Sequence, residues 1–118
     1  MDTGMKGNTG KIAVINLTTG AVENLQLPEE IYRGFIGGSG LAAKLFWDRA
    51  DFSAEPLSPE ALLIFMNGPL TGIKLSGASR MNATARSPLT GGLAESSCGG
   101  YFPPALRLAG YDGLVISG

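Results

Sequence analysis

Two arginines and two small polar residues alternate with other residues in the segment Arg-Met-Asn-Ala-Thr-Ala-Arg at positions 80–86. Side chains of an extended strand point alternately to its two faces. One face of such a strand would therefore carry Arg80, Asn82, Thr84 and Arg86. Because a guanidinium matches the geometry of phosphate and carboxylate groups, the pattern predicts an anion-binding face. The alternative is a solvated face on an edge strand.

The segment is flanked by two copies of the tetrapeptide Pro-Leu-Thr-Gly, at 69–72 and 88–91, and is followed by the pair Gly99-Gly100. The glycine pair precedes a helical pattern, and backbone amides at a helix N-terminus attract anions. Many such junctions bind nothing, so this signal is weak by itself. Together with the arginines, it predicts that residues 68–118 form a surface for a negatively charged ligand.

The composition excludes several kinds of site. The chain has 118 residues, a net charge of −1, no histidine and one cysteine, Cys98. A near-neutral chain lacks the basic surface of a general nucleic-acid binder, so no nucleic-acid partner is expected. The single cysteine excludes an internal disulfide and any cysteine-based zinc or iron–sulfur cage within the chain. Cys98 is interpreted as a small buried or half-buried side chain rather than a catalytic one.

The N-terminal sequence is polar, and the longest apolar run, at 61–66, is far too short to cross a membrane. We therefore expect no membrane partner and a cytoplasmic location. Residues 1–10 are predicted to form a flexible segment, and residues 11–118 one small domain.

Hydrophobic periodicity and the positions of glycine and proline predict an α+β fold, with a mostly antiparallel sheet and two or three packed helices. The predicted strands are 11–17, 21–27, 61–67, 80–86 and 114–117, and the predicted helices are 28–35, 40–50 and 102–109. Ser39 is the predicted N-cap of the second helix. Phe46 and Trp47 are predicted to lie in or near the core. The apolar run in the third strand predicts that both of its faces are covered.

Several motifs, in their order and spacing, resemble the N-terminal domain of the tungsten-containing aldehyde ferredoxin oxidoreductase family. The segments that carry the resemblance are GNTGKIAVINLTTG at 7–20, GGSGLAAKLF at 37–46, LSPE at 57–60, GPLTG at 68–72, RSPLTGG at 86–92 and GGYFPPALRLAGYDGLVISG at 99–118. The resemblance implies that residues 11–118 form an incomplete copy of this domain. In the family, the whole domain is larger, pseudo-duplicated and β-rich, and it seats the cofactor.

The resemblance also implies a cofactor and a reaction. In this family the domain seats a bis-pyranopterin that carries tungsten, or sometimes molybdenum, together with a magnesium ion. The enzymes oxidise aldehydes to carboxylic acids and pass electrons through an iron–sulfur cluster of the 4Fe–4S type to ferredoxin. The cluster cysteines lie in later domains that this chain does not contain. We therefore expect the isolated chain to carry no cofactor and to be inactive.

Three residues match positions that bind the cofactor in the family. Arg80 matches an arginine that contacts the pterin and its phosphates. Ser97 and Gly99 match two positions before the Gly-Tyr-Phe motif, and the first of these supplies a backbone carbonyl to the magnesium ion. The family often has asparagine there. A backbone carbonyl survives the change to Ser97 because every residue has one, whereas side-chain contacts of the asparagine would be lost.

The sequence thus supports the hypothesis that the chain is the cofactor-seating part of an aldehyde:ferredoxin oxidoreductase. Two alternatives stay open, namely a stand-alone module that binds phosphate or pterin ligands and a structural fragment without catalysis. Roughly half a dozen core side chains, each contributing about 1.5–3 kcal/mol on burial, barely offset the conformational entropy that a chain of this size loses. We therefore expect a homodimer or a larger homo-oligomer.

Overall fold

The computed structural model describes residues 6–118, which contain six strands and three helices. In chain order they are β1 (Lys11–Asn16), β2 (Val22–Gln26), α1 (Glu29–Phe35), α2 (Gly38–Arg49), β3 (Leu63–Asn67), β4 (Met81–Arg86), β5 (Leu93–Cys98), α3 (Phe102–Leu108) and β6 (Gly113–Ser117). The sequence patterns predict every one of these elements except β5. None of the described helices is long and apolar enough to cross a membrane.

The six strands form one sheet in the order β2-β1-β6-β3-β4-β5. Strands β1 and β6 pair in parallel, and the other four neighbouring pairs are antiparallel. Two of these pairs are hairpins, β1–β2 and β4–β5, while β6 inserts between β1 and β3 and joins the two halves of the sheet. The predicted α+β fold with a mostly antiparallel sheet is confirmed.

The core lies between one face of the sheet and the helices α1 and α2. Alternate residues of β1, β3 and β6 supply the sheet side, and the helices supply side chains at helical spacing. The buried cluster contains Ile12, Tyr32, Leu41, Ala42, Leu45, Phe46, Ile64, Met66 and Val115. Helix α2 packs on both β3 and β4, so it also covers one face of β4.

Phe46 is buried, as predicted, but Trp47 is 74% exposed, so its predicted place in or near the core is wrong. Successive residues of an α-helix are rotated by about 100° around its axis. Phe46 faces the sheet, and the rotation therefore turns Trp47 toward solvent. There its ring packs beside that of Phe52, with 5.6 Å between the ring centroids.

The entry into α2 differs from the prediction, because the helix begins at Gly38 and not after a Ser39 cap. Ile36 has φ 71° and ψ −63°, and the amide of Gly37 donates to the carbonyl two residues before it at 2.8 Å. These values define a γ-turn with positive φ, which is a rare and strained conformation for a β-branched residue. A Cβ atom on Gly37 would lie 3.1 Å from the carbonyl oxygen of Asn67, so the turn fits closely against the end of β3.

The second face of the sheet is only partly covered. Helix α3 lies over one end of β3, where Phe102 packs edge-on against Phe65 with 6.3 Å between the ring centroids. At the other end of β3, Leu63 is 38% exposed. The prediction that this strand is covered on both faces is therefore wrong at Leu63. Strand β5, at the edge of the sheet, is exposed along its whole length.

Residues 1–5 lie outside the described residues, so the flexible segment predicted over 1–10 is described only in part. Within the described part, the amides of Thr9 and Gly10 donate to the carboxylate of Asp112 at 2.7 and 2.8 Å. These two hydrogen bonds tie the residues before β1 to the residue before β6.

Candidate functional site

The β4–β5 hairpin brings the three candidate cofactor-binding residues to one end of the sheet. Its register places Asn82 opposite Ser97 near that end. Arg80 comes just before β4 and Gly99 just after β5, so both lie where the hairpin opens. A Cβ atom on Gly99 would lie 3.6 Å from the carbonyl oxygen of Ser79, the residue before Arg80. Arg80, Ser97 and Gly99 are therefore close neighbours, although up to 19 positions separate them in the sequence.

All three candidate residues are exposed to solvent. Within residues 6–118, the guanidinium of Arg80 makes no hydrogen bond and no ion pair. The backbone of Arg80 is held more firmly, because its carbonyl accepts a 2.7 Å hydrogen bond from the hydroxyl of Thr71. Arg80 thus combines an anchored backbone with donors that are available to a ligand.

Ser97 lies on an edge strand, and this affects what its backbone can bind. Among the described strands, β5 pairs only with β4, so its outward-facing amides and carbonyls have no partner in another described strand. Among residues 6–118, no group of three or more His, Cys, Asp or Glu side chains could hold a metal ion. The prediction for Ser97 concerns its backbone carbonyl, which needs no such group.

The polar face predicted for β4 is neither a solvated edge nor an anion-binding face at its centre. Strand β4 lies between β3 and β5, and α2 covers the face that carries Asn82 and Thr84. Both side chains are buried, and the hydroxyl of Thr84 donates to the amide oxygen of Asn82. The amide nitrogen of Asn82 donates to Glu95 at 3.4 Å. Asn82 and Thr84 are therefore bonded to each other beneath α2 and do not form a ligand-binding surface.

Arg86, at the far end of the same face, binds backbone carbonyls. Its Nη1 donates to the carbonyls of Phe52 and Ala54 at 2.8 and 3.0 Å, and its Nε donates to the carbonyl of Gly91 at 2.8 Å. These bonds fasten the β4–β5 turn to the loop that follows α2. Arg86 therefore has a structural role, whereas the guanidinium of Arg80, just before β4, has no hydrogen-bonding partner among residues 6–118.

The two Pro-Leu-Thr-Gly copies have different structural roles. The second copy forms the β4–β5 turn, where Ser87 Oγ accepts from the amides of Leu89 and Thr90 at 3.2 and 3.1 Å. The first copy lies between β3 and Arg80, and the carbonyl of Gly68 just before it accepts from Arg107 at 2.7 Å. The repeat therefore does not form two halves of one binding surface.

Helix α3 begins at Phe102, as predicted, directly after the exposed Gly100 and Tyr101. Two prolines follow Phe102 and have no backbone N–H, so Phe102 carries the one amide donor of the first three helical residues, and no side chain in the described structure caps it. Gly100 has φ 86°, a conformation that glycine adopts without strain, and it turns the chain from β5 into the helix.

A family model for the aldehyde ferredoxin oxidoreductase N-terminal domain matches residues 12–118. The chain belongs to this family. The resemblance inferred from the sequence motifs is confirmed.

Members of the family from several archaea are similar to the chain. It is 40% identical over 114 residues to the tungsten-containing aldehyde ferredoxin oxidoreductases of Pyrococcus furiosus and Thermococcus kodakarensis, covering 97% of this chain and 19% of each relative. It is 32% identical over 117 residues to the WOR-like subunit of an aliphatic sulfonate oxidoreductase of Pyrococcus furiosus, covering 97% of this chain and 18% of that relative. The chain thus spans about a fifth of the length of the curated relatives it matches.

A solved structure shares the fold. The active-site complex BamBC of benzoyl coenzyme A reductase, in complex with 1,5-dienoyl-CoA, superposes with a TM-score of 0.90 at 37% identity. The match covers 96% of this chain and 17% of the chain in that structure. The six-stranded sheet and its three helices therefore also occur as one part of a much larger enzyme chain.

The chain also contains a buried polar network that the sequence motifs do not indicate. Asp112 is fully buried and accepts hydrogen bonds from Tyr32 at 2.7 Å and from Arg107, besides the two backbone amides before β1. Burial, followed by the hydrogen bond and charge of Asp112, raises the pKa of Tyr32 above its ordinary value. The partners come from distant parts of the chain, so no local spacing could reveal them. Arg107 also contacts Gly68, which links the network to the loop before Arg80.

Cys98 is exposed in this family member, so its predicted burial is wrong. The reason is its position on the edge strand β5, whose residues are all exposed. The family motif identified Ser97 and Gly99 as candidate residues, but the sequence did not predict the strand that carries Ser97.

Proposed function

We propose that this domain seats the phosphates of a bis-pyranopterin cofactor that carries tungsten or molybdenum, as part of an aldehyde:ferredoxin oxidoreductase. The observation that carries the proposal is the meeting of Arg80, Ser97 and Gly99 at the open end of one hairpin. Family membership and the tungsten-containing relatives support the choice of cofactor.

The residues at this end of the sheet fit the phosphate part of such a cofactor. The guanidinium of Arg80 has no partner within residues 6–118, so its fork of donors can bind phosphate oxygens. The amide of Phe102 is the one N–H group among the first three residues of α3, because prolines follow it, and it has no side-chain acceptor within the described residues. The guanidinium of Arg80 and this amide are therefore the donors that the proposal assigns to the phosphates.

In this proposal each residue has one role. Arg80 balances phosphate charge. The carbonyl of Ser97 is a ligand of a magnesium ion that joins the phosphates, because magnesium prefers oxygen ligands. Gly99 lets the cofactor approach the backbone, because it has no side chain. The cofactor itself supplies the two-electron oxidation of an aldehyde to a carboxylic acid, and the residues of this domain bind and orient it.

The other components of the reaction belong to the remainder of a complete enzyme. We assign the aldehyde site, the 4Fe–4S cluster and the contact with ferredoxin to parts outside this domain, in a cytoplasmic protein. By itself the domain is expected to carry no cofactor and to show no oxidoreductase activity.

Elemental analysis of the complete enzyme tests the proposal. Arg80→Ala should reduce tungsten and pterin per polypeptide, because losing a charged hydrogen-bonding partner weakens binding by about 10- to 100-fold. The matched control is Arg49→Ala, which removes an exposed arginine at the end of α2, away from the hairpin. Unchanged tungsten in Arg80→Ala would rule out the assignment of Arg80.

The stand-alone binding module is the alternative that calorimetry can separate. An isolated domain that acts as a module should bind inorganic pyrophosphate tightly, with a dissociation constant on the order of micromolar. A domain that provides one part of a larger seat should bind pyrophosphate weakly, because the remaining contacts are missing.

A further inference from the structure

Thr71 makes the one side-chain hydrogen bond to the backbone of Arg80 within the described residues. Its side chain is 2% exposed, and its hydroxyl donates a 2.7 Å hydrogen bond to the carbonyl of Arg80. Arg80 precedes β4 and therefore has no place in the ladder of the sheet. Its amide donates only to the nearby carbonyl of Ala78, at 3.2 Å. The position of Arg80 thus depends on the loop that holds Thr71.

That loop is itself clamped to α3. The amide of Thr71 donates to the carbonyl of Gly68 at 3.2 Å, and the same carbonyl accepts from Arg107 Nη2 at 2.7 Å. The stem of Arg107 also lies against Gly72, where a Cβ atom would come within 3.1 Å of it. Arg107 in turn forms an ion pair with the buried carboxylate of Asp112. The hydroxyl of Thr71 is therefore held in place by a connected set of contacts that ends at the buried carboxylate of Asp112.

The second Pro-Leu-Thr-Gly copy has the same residue type without this contact. Thr90 Oγ1 accepts from the amide of Gly92 at 3.2 Å, inside its own exposed turn. The two threonines occupy the same position of the same tetrapeptide, but only Thr71 touches Arg80. The repeat thus provides an internal control for the role of the hydroxyl.

We propose that Thr71 is a positioning residue that holds Arg80 so that its guanidinium faces the ligand seat at the open end of the hairpin. The inference rests on the proposed role of Arg80 in binding phosphate. Without the hydroxyl, the residue before β4 loses its anchor, and the guanidinium must be ordered at the moment when the ligand binds. Ordering a long side chain on binding lowers affinity.

An NMR titration with inorganic pyrophosphate tests the inference on the 118-residue chain. The shifts of the Arg80 Nε–Hε group and of the Gly99 amide report binding at the seat. Thr71→Val should weaken pyrophosphate binding by about 5- to 10-fold, the equivalent of one hydrogen bond. Thr71→Ser, which keeps the hydroxyl, should stay within about twofold of the parent chain, and Thr90→Val should leave the affinity unchanged.

A purely structural role for Thr71 would lower the unfolding midpoint and leave the affinity of the folded protein unchanged. That result with Thr71→Val or Thr71→Ala would overturn the inference and leave the role of Arg80 intact. Thr71→Ala covers the case in which valine prevents folding, because it places no methyl group against the carbonyl. If pyrophosphate fails to shift Arg80 in the parent chain, the inference is also overturned, while tungsten content in Arg80→Ala tests the proposed function separately.

Discussion

The hydroxyl of Tyr32 donates a 2.7 Å hydrogen bond to the carboxylate of Asp112, and both side chains are buried. Tyr32 belongs to α1, whereas Asp112 lies between α3 and β6, 80 positions later in the chain. The same carboxylate also accepts hydrogen bonds from Arg107 and from the amides of Thr9 and Gly10 before β1. Asp112 thus connects α1, α3 and the residues before β1.

Asp112→Asn should strongly destabilise the fold. The change removes the negative charge that compensates Arg107 and leaves buried donors without a strong acceptor, which typically costs about 3–5 kcal/mol. Urea denaturation measures the change in the free energy of unfolding. The control is Asp48→Asn, which removes an exposed partner of Lys44 at 3.0 Å and should cost less than about 1 kcal/mol. Similar losses in both variants would contradict the role given to Asp112.

The raised pKa of Tyr32 predicts how stability depends on pH at the alkaline end. An unfolded tyrosine ionises near pH 10, whereas burial and Asp112 keep Tyr32 neutral in the folded state. The contribution of neutral Tyr32 to the free energy of unfolding is therefore complete below about pH 10. Above that pH the contribution decreases by at most about 1.4 kcal/mol per pH unit, because the unfolded chain loses the proton first. Tyr32→Phe should remove this part of the slope between about pH 10 and 11.

The exposed Tyr101 provides the control for that measurement. Tyr101→Phe should leave the alkaline slope of the unfolding free energy as it is in the parent chain. A Tyr32→Phe protein whose stability decreases with pH as steeply as that of the parent would contradict the prediction.

The two arginines of the β4 segment should respond differently to the same substitution. Arg86→Met removes three hydrogen bonds to backbone carbonyls that fasten the β4–β5 turn, so we expect a loss of about 1–3 kcal/mol in unfolding free energy. Arg80→Met removes no side-chain hydrogen bond or ion pair within the described residues and should change stability by less than about 0.5 kcal/mol. Thermal or urea unfolding of both variants measures the two changes in the free energy of unfolding. Equal destabilisation would show that Arg80 also supports the fold.

The sequence predicts which residues alternate but not which face becomes covered. The period-two pattern of the β4 segment correctly places Asn82 and Thr84 on one face. Nothing in that pattern shows that α2 will pack on it, because the contact depends on the order of strands in the sheet. In the same way, Phe46 and Trp47 are equally apolar neighbours, and the rotation of the helix relative to the sheet decides which one is buried.

Strand β5 and the candidate site show the other limit of local patterns. The segment from Leu93 to Cys98 has neither β-branched residues nor apolar alternation, and it forms a strand because the turn at 87–92 returns the chain along β4. The proximity of Arg80 to Ser97 follows from that hairpin, so spacing alone could not give it. The family resemblance identified Arg80 and Ser97 as candidates, and the pairing of β4 with β5 explains why they lie near each other in space.

Gly113, in the central strand β6, should not tolerate a side chain. A Cβ atom there would lie 2.5 Å from the carbonyl oxygen of Phe65 and 2.7 Å from the sulfur of Met66. Gly113→Ala should therefore cost at least about 2–3 kcal/mol, since the backbone of β3 cannot move without disturbing the core. Gly34→Ala is the matched control, because a Cβ atom in that helical position meets nothing within 4 Å.

Alanine in place of Gly34 should stabilise α1 by about 0.5–1 kcal/mol, because glycine loses more backbone entropy in a helix. Chemical denaturation of both variants gives the two changes with opposite signs. A neutral Gly113→Ala would mean that β6 and β3 are less closely packed than the structure indicates.

The exposed apolar side chains predict self-association of the isolated chain. Trp47 and Leu89 are 74% and 91% exposed, and Trp47 lines a groove of about 300 Å³ together with Phe52 and Leu93. Covering these groups removes apolar surface from water, so we expect dimers or larger oligomers at concentrations on the order of tens of micromolar.

Tryptophan fluorescence measures this association. Because Trp47 is the one tryptophan of the chain, its emission should shift to shorter wavelength as the protein concentration rises. Trp47→Lys should weaken association more than Leu57→Lys does at another exposed position, and a monomer in sedimentation velocity over that range would contradict the prediction.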